Sequence, residues 1–213
     1  VRHSRVRLQD VATPSEDDKT PARQKILTAA RTLFTTTGYA STTMKAIAAE
    51  ASVAVQTVYF VFGNKRSVLE ALLDVSIAGD DEPTPTLTRP WVAEALSEPD
   101  PLTQLRIQVH GARLILDRAA PVLLAVRAAA GADPEVAQLW ASTCEHHEMV
   151  LRHLTTALAG KVDHLDIDRT IDVGLALLTP ETHILLIDER GWSPEEYETW
   201  VVGVLARTAG LRV

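Results

Sequence analysis

The densest group of chemistry-bearing residues in this chain is Cys144-Glu-His-His-Glu148, in which Cys144, His147 and Glu148 fall on one face if the segment is helical. A thiolate, an imidazole and a carboxylate are donors that zinc accepts. A bound metal needs three or four converging ligands, and no second cluster of the Cys-x-x-Cys or His-Glu-x-x-His kind supplies the remainder. The sequence also lacks a glycine-rich phosphate loop and a nucleophile elbow. We therefore expect no metal, no cofactor and no enzymatic activity. A helical metal-binding or interaction protein is kept only as the alternative reading.

Recognition is better supported than catalysis. Over residues 43–60 the pattern predicts two short helices separated by a few residues, as in a helix-turn-helix. Two helices that cross steeply need a small residue at the crossing, and Ala48 fits; Val53 in the turn and Val58 in the second helix would plug the gap. The second helix then offers Gln56, Thr57, Tyr59 and Phe60 to a DNA major groove, flanked by Lys45 and Lys65 as phosphate partners. The charge distribution permits this. The formal net charge is −7, yet residues 1–80 hold ten Lys/Arg against eight Asp/Glu, so the acidity belongs to the remainder of the chain.

The segment from Arg23 to about Leu73 resembles the DNA-binding domain of the TetR family of bacterial regulators. The matching pieces are Ile26-Leu-Thr-Ala-Ala-Arg-Thr-Leu-Phe34 before Gly38-Tyr39, Thr42-Thr-Met-Lys-Ala-Ile-Ala48, and Thr57-Val-Tyr-Phe-Val-Phe-Gly-Asn-Lys65. The resemblance implies a four-helix head whose third helix reads DNA. It assigns Thr43 and Lys65 to phosphates, Lys45 to backbone or base, and Gln56, Thr57 and Tyr59 to the groove. Three positions depart from the family pattern: Ser52 stands for a turn glycine, Ala54 for a Ser-type cap, and Val61 for a His or Tyr that reaches a phosphate.

The elements that must position these residues are all helices. Thr20-Pro21, Asp100-Pro101, Asp133-Pro134, Thr179-Pro180 and Ser193-Pro194 each place a capping residue before a proline, the arrangement favoured at helix starts. No strand alternation is present. We expect an all-α fold: an arm over 1–19, a helix-turn-helix DNA-binding domain over 20–78, a linker over 79–90, and a larger helical effector-binding and dimerisation domain over 91–213. Within the last, helices are expected over 101–119, 121–130 and 134–159, then 168–178, 180–189 and 194–209. The arm is expected to be a disordered, solvated tail, with a minor-groove contact by Arg2, Arg5 and Arg7 as the alternative.

An effector pocket is expected among 101–119, 121–130 and 134–159. Its candidates by residue type are Trp91, His110, Arg113, Trp140, Cys144 and His147. The end of the chain also resembles the dimerising tail of the same family, which nominates Ile184, Leu185, Ile187, Trp192, Trp200, Val201 and Leu205 as interface. The expected partners are a palindromic double-stranded operator, a second copy of the chain and a small molecule, with repression as the mode. Without a secretory block or an apolar run of about 18 residues, and with the single Cys144 suited to a reducing compartment, we expect a cytoplasmic protein and no membrane.

Overall fold

Apolar residues at Ile26, Ala29, Ala30 and Phe34 recur at helical spacing and are all buried, which fixes the inner face of the first helix. The structure, a computed structural model, describes residues 16–80 and 85–211, with side chains from residue 21 onward. The candidate contacts of Arg2, Arg5 and Arg7, and linker residues 81–84, lie outside the described residues. All regular structure among the described residues is helical: α1 (Glu16–Thr36), α2 (Met44–Glu50), α3 (Val55–Phe62), α4 (Lys65–Ala78), α5 (Pro90–Ser97), α6 (Pro101–Ala130), α7 (Pro134–Ala159), α8 (Ile167–Leu177), α9 (Pro180–His183) and α10 (Pro194–Thr208). A single 3-10 turn, Thr86–Thr88, precedes α5.

The helix ends follow local chemistry. Thr43 Oγ1 accepts from Ala46 N to start α2, Asn64 accepts from Ser67 N to start α4, and Asp100, Asp133, Asp166, Thr179 and Ser193 cap the later helices in the same way. Ser193 and Glu196 form the reciprocal capping box. From α9 the chain runs straight into a π-helical stretch, Ile184–Glu189. Two prolines break the expectation. Pro21 lies inside α1, which begins at Glu16, and Pro121 lies inside α6, so that 101–119 and 121–130 are one helix. An interior proline removes one backbone hydrogen bond and costs roughly 3 kcal/mol. Ala119, Ala120, Val122, Leu123 and Val126 are buried on both sides of Pro121, and that burial holds α6 together.

Helices α1 to α4 form the head, whose core is continuous with that of α6: Ile47, Val58, Leu69 and Leu72 join one cluster with Leu116, Ala119 and Val126. A second cluster, built from Leu105, Val109, Leu158, Tyr197, Val201 and Leu205, packs α6 and α7 against α10. Between them α5 lies on α6, where Gly111 lets the Trp91 indole rest against the helix; a Cβ there would meet Trp91 Cδ2 at 2.6 Å.

Candidate nucleic-acid interface and ligand cavity

The axes of α2 and α3 turn by 112°, within the range of a helix-turn-helix. Ala48 and Val58 are buried at the crossing with Ile47 and Met44, and Val53 is half-buried in the turn. The turn is closed by Val53 N donating to Ala48 O at 3.0 Å. Ser52 takes a φ of 54°, the left-handed conformation that glycine adopts without strain. Ala54 caps α3 with no side-chain hydrogen bond.

One face of α3 is left uncovered. Gln56 is exposed, Thr57 is half-buried, and Tyr59 and Phe60 are 52% and 54% exposed. Positions 56, 59 and 60 are neighbours on a helix surface, so the residues expected at the groove share one face. Thr43 and Lys45, at the start of α2, are also exposed.

Lys65 differs from expectation. Its ammonium donates to Tyr39 O at 2.8 Å and Thr42 O at 3.0 Å and lies 4.1 Å from the centroid of the Tyr39 ring. Burial pushes its pKa below the usual lysine value. Instead of projecting toward a phosphate, Lys65 fastens α4 to the segment between α1 and α2.

Among the described residues, hydrogen bonds join the head to α6 around the end of α4. Arg31 of α1 donates to Arg118 O on α6 at 2.9 Å and to Ser76 Oγ on α4 at 2.7 Å, while Arg118 donates to Ser76 O and Ile77 O at 3.4 and 3.2 Å. Arg118 thus satisfies carbonyls left open where α4 ends. These bonds lie one turn from Pro121.

Beside this junction lies a cavity of about 640 Å³. It runs from the head, where Leu73, Asp74 and Ile77 of α4 form its wall, along α6 and α7 to Thr170 and Gly174 of α8. Trp91, Trp140, Cys144 and His147, four of the six nominated by type, line it. His147 is pushed below the ordinary histidine pKa by burial, so its imidazole is neutral at pH 7. Burial also raises the Cys144 thiol, opposed by Arg127 and aided by Glu181 and Glu145. No group of three or more His, Cys, Asp or Glu able to hold a metal converges among the described residues.

His110 and Arg113 are not among the lining residues. Both bond Glu198 of α10, His110 Nδ1 at 2.9 Å, and Arg113 also pairs with Asp117, whose other oxygen lies 2.8 Å from buried His183 Nε2. This network ties α6 to α9 and α10. The reason for the misplacement is rotational: 110 and 113 lie on the face of α6 toward α10, whereas Gln108, Val109 and Ala112 line the cavity. Sequence reasoning does not single out Gln108, Arg31, Ser76 or Arg118. For Gln108 the one signal is an amide within the apolar stripe Leu105, Val109, Ala112.

Of the residues nominated as interface, Val201 and Leu205 are 0% and 5% exposed and belong to the second core cluster. Leu185 is 47% exposed; Ile184, Ile187, Trp192 and Trp200 are half-buried, with the two indoles edge to face at 5.8 Å between centroids. No single described helix is long and apolar enough to cross a membrane.

Residues 26–72 match the profile described as bacterial regulatory proteins, tetR family. That stretch is α1 to α4 with the crossing and uncovered face just described. By this match the head carries a TetR-family N-terminal domain. The overall fold is shared with solved structures of low sequence identity. The fatty acid degradation regulator FadR from Bacillus halodurans superposes with a TM-score of 0.67 at 18% identity, covering 91% of this chain and 96% of that one. FadR from Bacillus subtilis, solved in complex with stearoyl-CoA, gives 0.69 at 17% identity, covering 87% and 98%. A TetR-family transcriptional regulator from a Rhodococcus species gives 0.65 at 18%, covering 89% and 99%. No curated protein matches the chain.

Proposed function

We propose that this chain is a TetR-family, ligand-responsive transcriptional repressor that binds a palindromic operator as a homodimer and is released by an elongated, mostly apolar small molecule. The observation that carries the reading is the position of the cavity. Its wall includes α4, the helix that ends the head, and the end of α4 is the part bonded to α6 by Arg118 and Arg31. A ligand that reshapes the wall acts on the element that aims α3, a coupling typically worth about 1 to 3 kcal/mol.

In this reading Gln56, Thr57, Tyr59 and Phe60 meet base edges and Thr43 and Lys45 meet the backbone. The two heads are related by packing of Leu185, Ile184, Ile187, Trp192 and Trp200 against their copies, and two-fold symmetry makes the operator palindromic. A lining that is largely apolar and drawn out along α6 suits a hydrocarbon chain, and a similar fold, the Bacillus subtilis FadR, was solved with stearoyl-CoA.

The test is selection of bound DNA from a random pool, followed by fluorescence anisotropy of the selected duplex while long-chain acyl compounds are added. An enriched palindrome released by such compounds is the expected result. Failure to enrich any palindrome overturns the DNA reading, and a palindrome that no chain-bearing compound releases overturns the effector reading.

A further inference from the structure

Two glutamines one turn apart on α6 have opposite fates. Gln104, fully buried, donates to Leu154 O at 3.0 Å and accepts from the Lys161 ammonium, so its carboxamide is satisfied at both ends. Gln108 lines the cavity, and its Nε2 is buried without any hydrogen-bond partner among the described residues. Leaving a buried donor unmade is costly, which is why such groups are rare in native folds.

The charges around the cavity are distributed unevenly. Arg23, Glu70, Asp74 and Asp80 in its wall all come from α1, α4 and the residues just after α4. The wall contributed by α6, α7 and α8 contains no Asp, Glu, Lys or Arg. A ligand charge at that depth would lose its hydration with no opposite charge to replace it.

We propose that the effector is uncharged where it lies deepest and carries there one neutral oxygen function, a hydroxyl or carbonyl, that hydrogen-bonds the Gln108 carboxamide while its hydrocarbon part runs along α6 toward α4. This rests on the reading of the cavity as the effector site and names the class of ligand it takes. A hydroxyl serves whichever way the carboxamide is turned, because it both donates and accepts. Burial favours the neutral form of His147 on the facing helix α7.

The experiment compares octane with octan-1-ol on the full chain, read by quenching of the fluorescence of Trp91 and Trp140, which line the cavity. Wild type is set against Gln108→Leu, which keeps the side-chain volume and removes the amide, and against Gln108→Met as a more adaptable second variant. Comparing the alcohol-to-alkane affinity ratio between proteins cancels the difference in hydration of the two ligands. The ratio is expected to fall about tenfold in both variants, the loss of roughly one buried hydrogen bond, with alkane affinity kept or improved and the melting temperature not lowered. An unchanged ratio overturns the anchor at Gln108 while leaving the cavity reading intact. If neither ligand binds wild type, both the anchor and the cavity reading fall.

Discussion

At Ala54 the reading helix begins with no side-chain acceptor for its first amides, so Ala54→Ser supplies a missing cap and is expected to raise stability by about 1 kcal/mol. Urea denaturation followed by circular dichroism measures it, and a rise in midpoint without a change in slope is the expected form. Ser52→Gly relaxes the left-handed φ but adds freedom to the unfolded chain, and the two effects of about 1 kcal/mol nearly cancel. Glu198 gives a pH dependence. Burial pushes its carboxyl up, but hydrogen bonds and charge from Arg113 and His110 outweigh it, and the pKa ends below the ordinary 4.5. A carboxylate lowered in the folded state contributes stability that is present above pH 4.5 and lost as the pH falls through the lower folded value. Wild type should therefore lose more stability on acidification than Glu198→Gln, by under about 1 kcal/mol because the site is partly exposed. Equal losses in the two proteins would mean that the network contributes nothing in this range.

Among the elements, α4 and α6 carry the proposed response of the head to the body. Arg118 bonds the end of α4 and Arg31 reaches both helices, so Arg118→Met should leave operator affinity within a few-fold yet weaken ligand-induced release by about tenfold, the size of a typical coupling. Anisotropy titrations with and without ligand separate the two quantities. Most element starts were legible in the sequence because a capping side chain followed by proline is a local signal: Asp100-Pro101, Asp133-Pro134, Thr179-Pro180 and Ser193-Pro194 all open helices. The same signal failed at Pro21, and Pro121, which has no capping residue before it, did not divide α6 as expected. There the proline's local cost competes with apolar burial along a long helix, a quantity that depends on neighbours distant in sequence.

For the whole molecule, the distinction between core and outer surface on α9 and α10 gives a paired test. Leu185→Glu alters a half-exposed side chain and should convert a dimer to a folded monomer in sedimentation at micromolar concentration, with operator affinity falling at least tenfold because two half-sites are no longer bound together. Val201→Glu places a charge in a fully buried position and should lower stability by more than about 4 kcal/mol, abolishing the fold and not merely the dimer. A Leu185→Glu protein that sediments as a dimer would move the interface elsewhere.

By itself the sequence determined the helical class, the helix-turn-helix and the residues of its uncovered face, because periodicity, caps and the small residue at Ala48 act within a few residues of one another. It also supplied four of the cavity's side chains by type. Tertiary structure alone decided that Lys65 holds carbonyls of its own head, that His110 and Arg113 face Glu198 on α10, and that Val201 and Leu205 are core. It likewise left Gln108 without a partner in an apolar wall while Gln104, one turn away, was satisfied by Leu154 and Lys161. The physical reason is common to all of these. A side chain's role depends on which face of its helix meets which neighbour, and that rotation is set by packing between elements far apart in the chain.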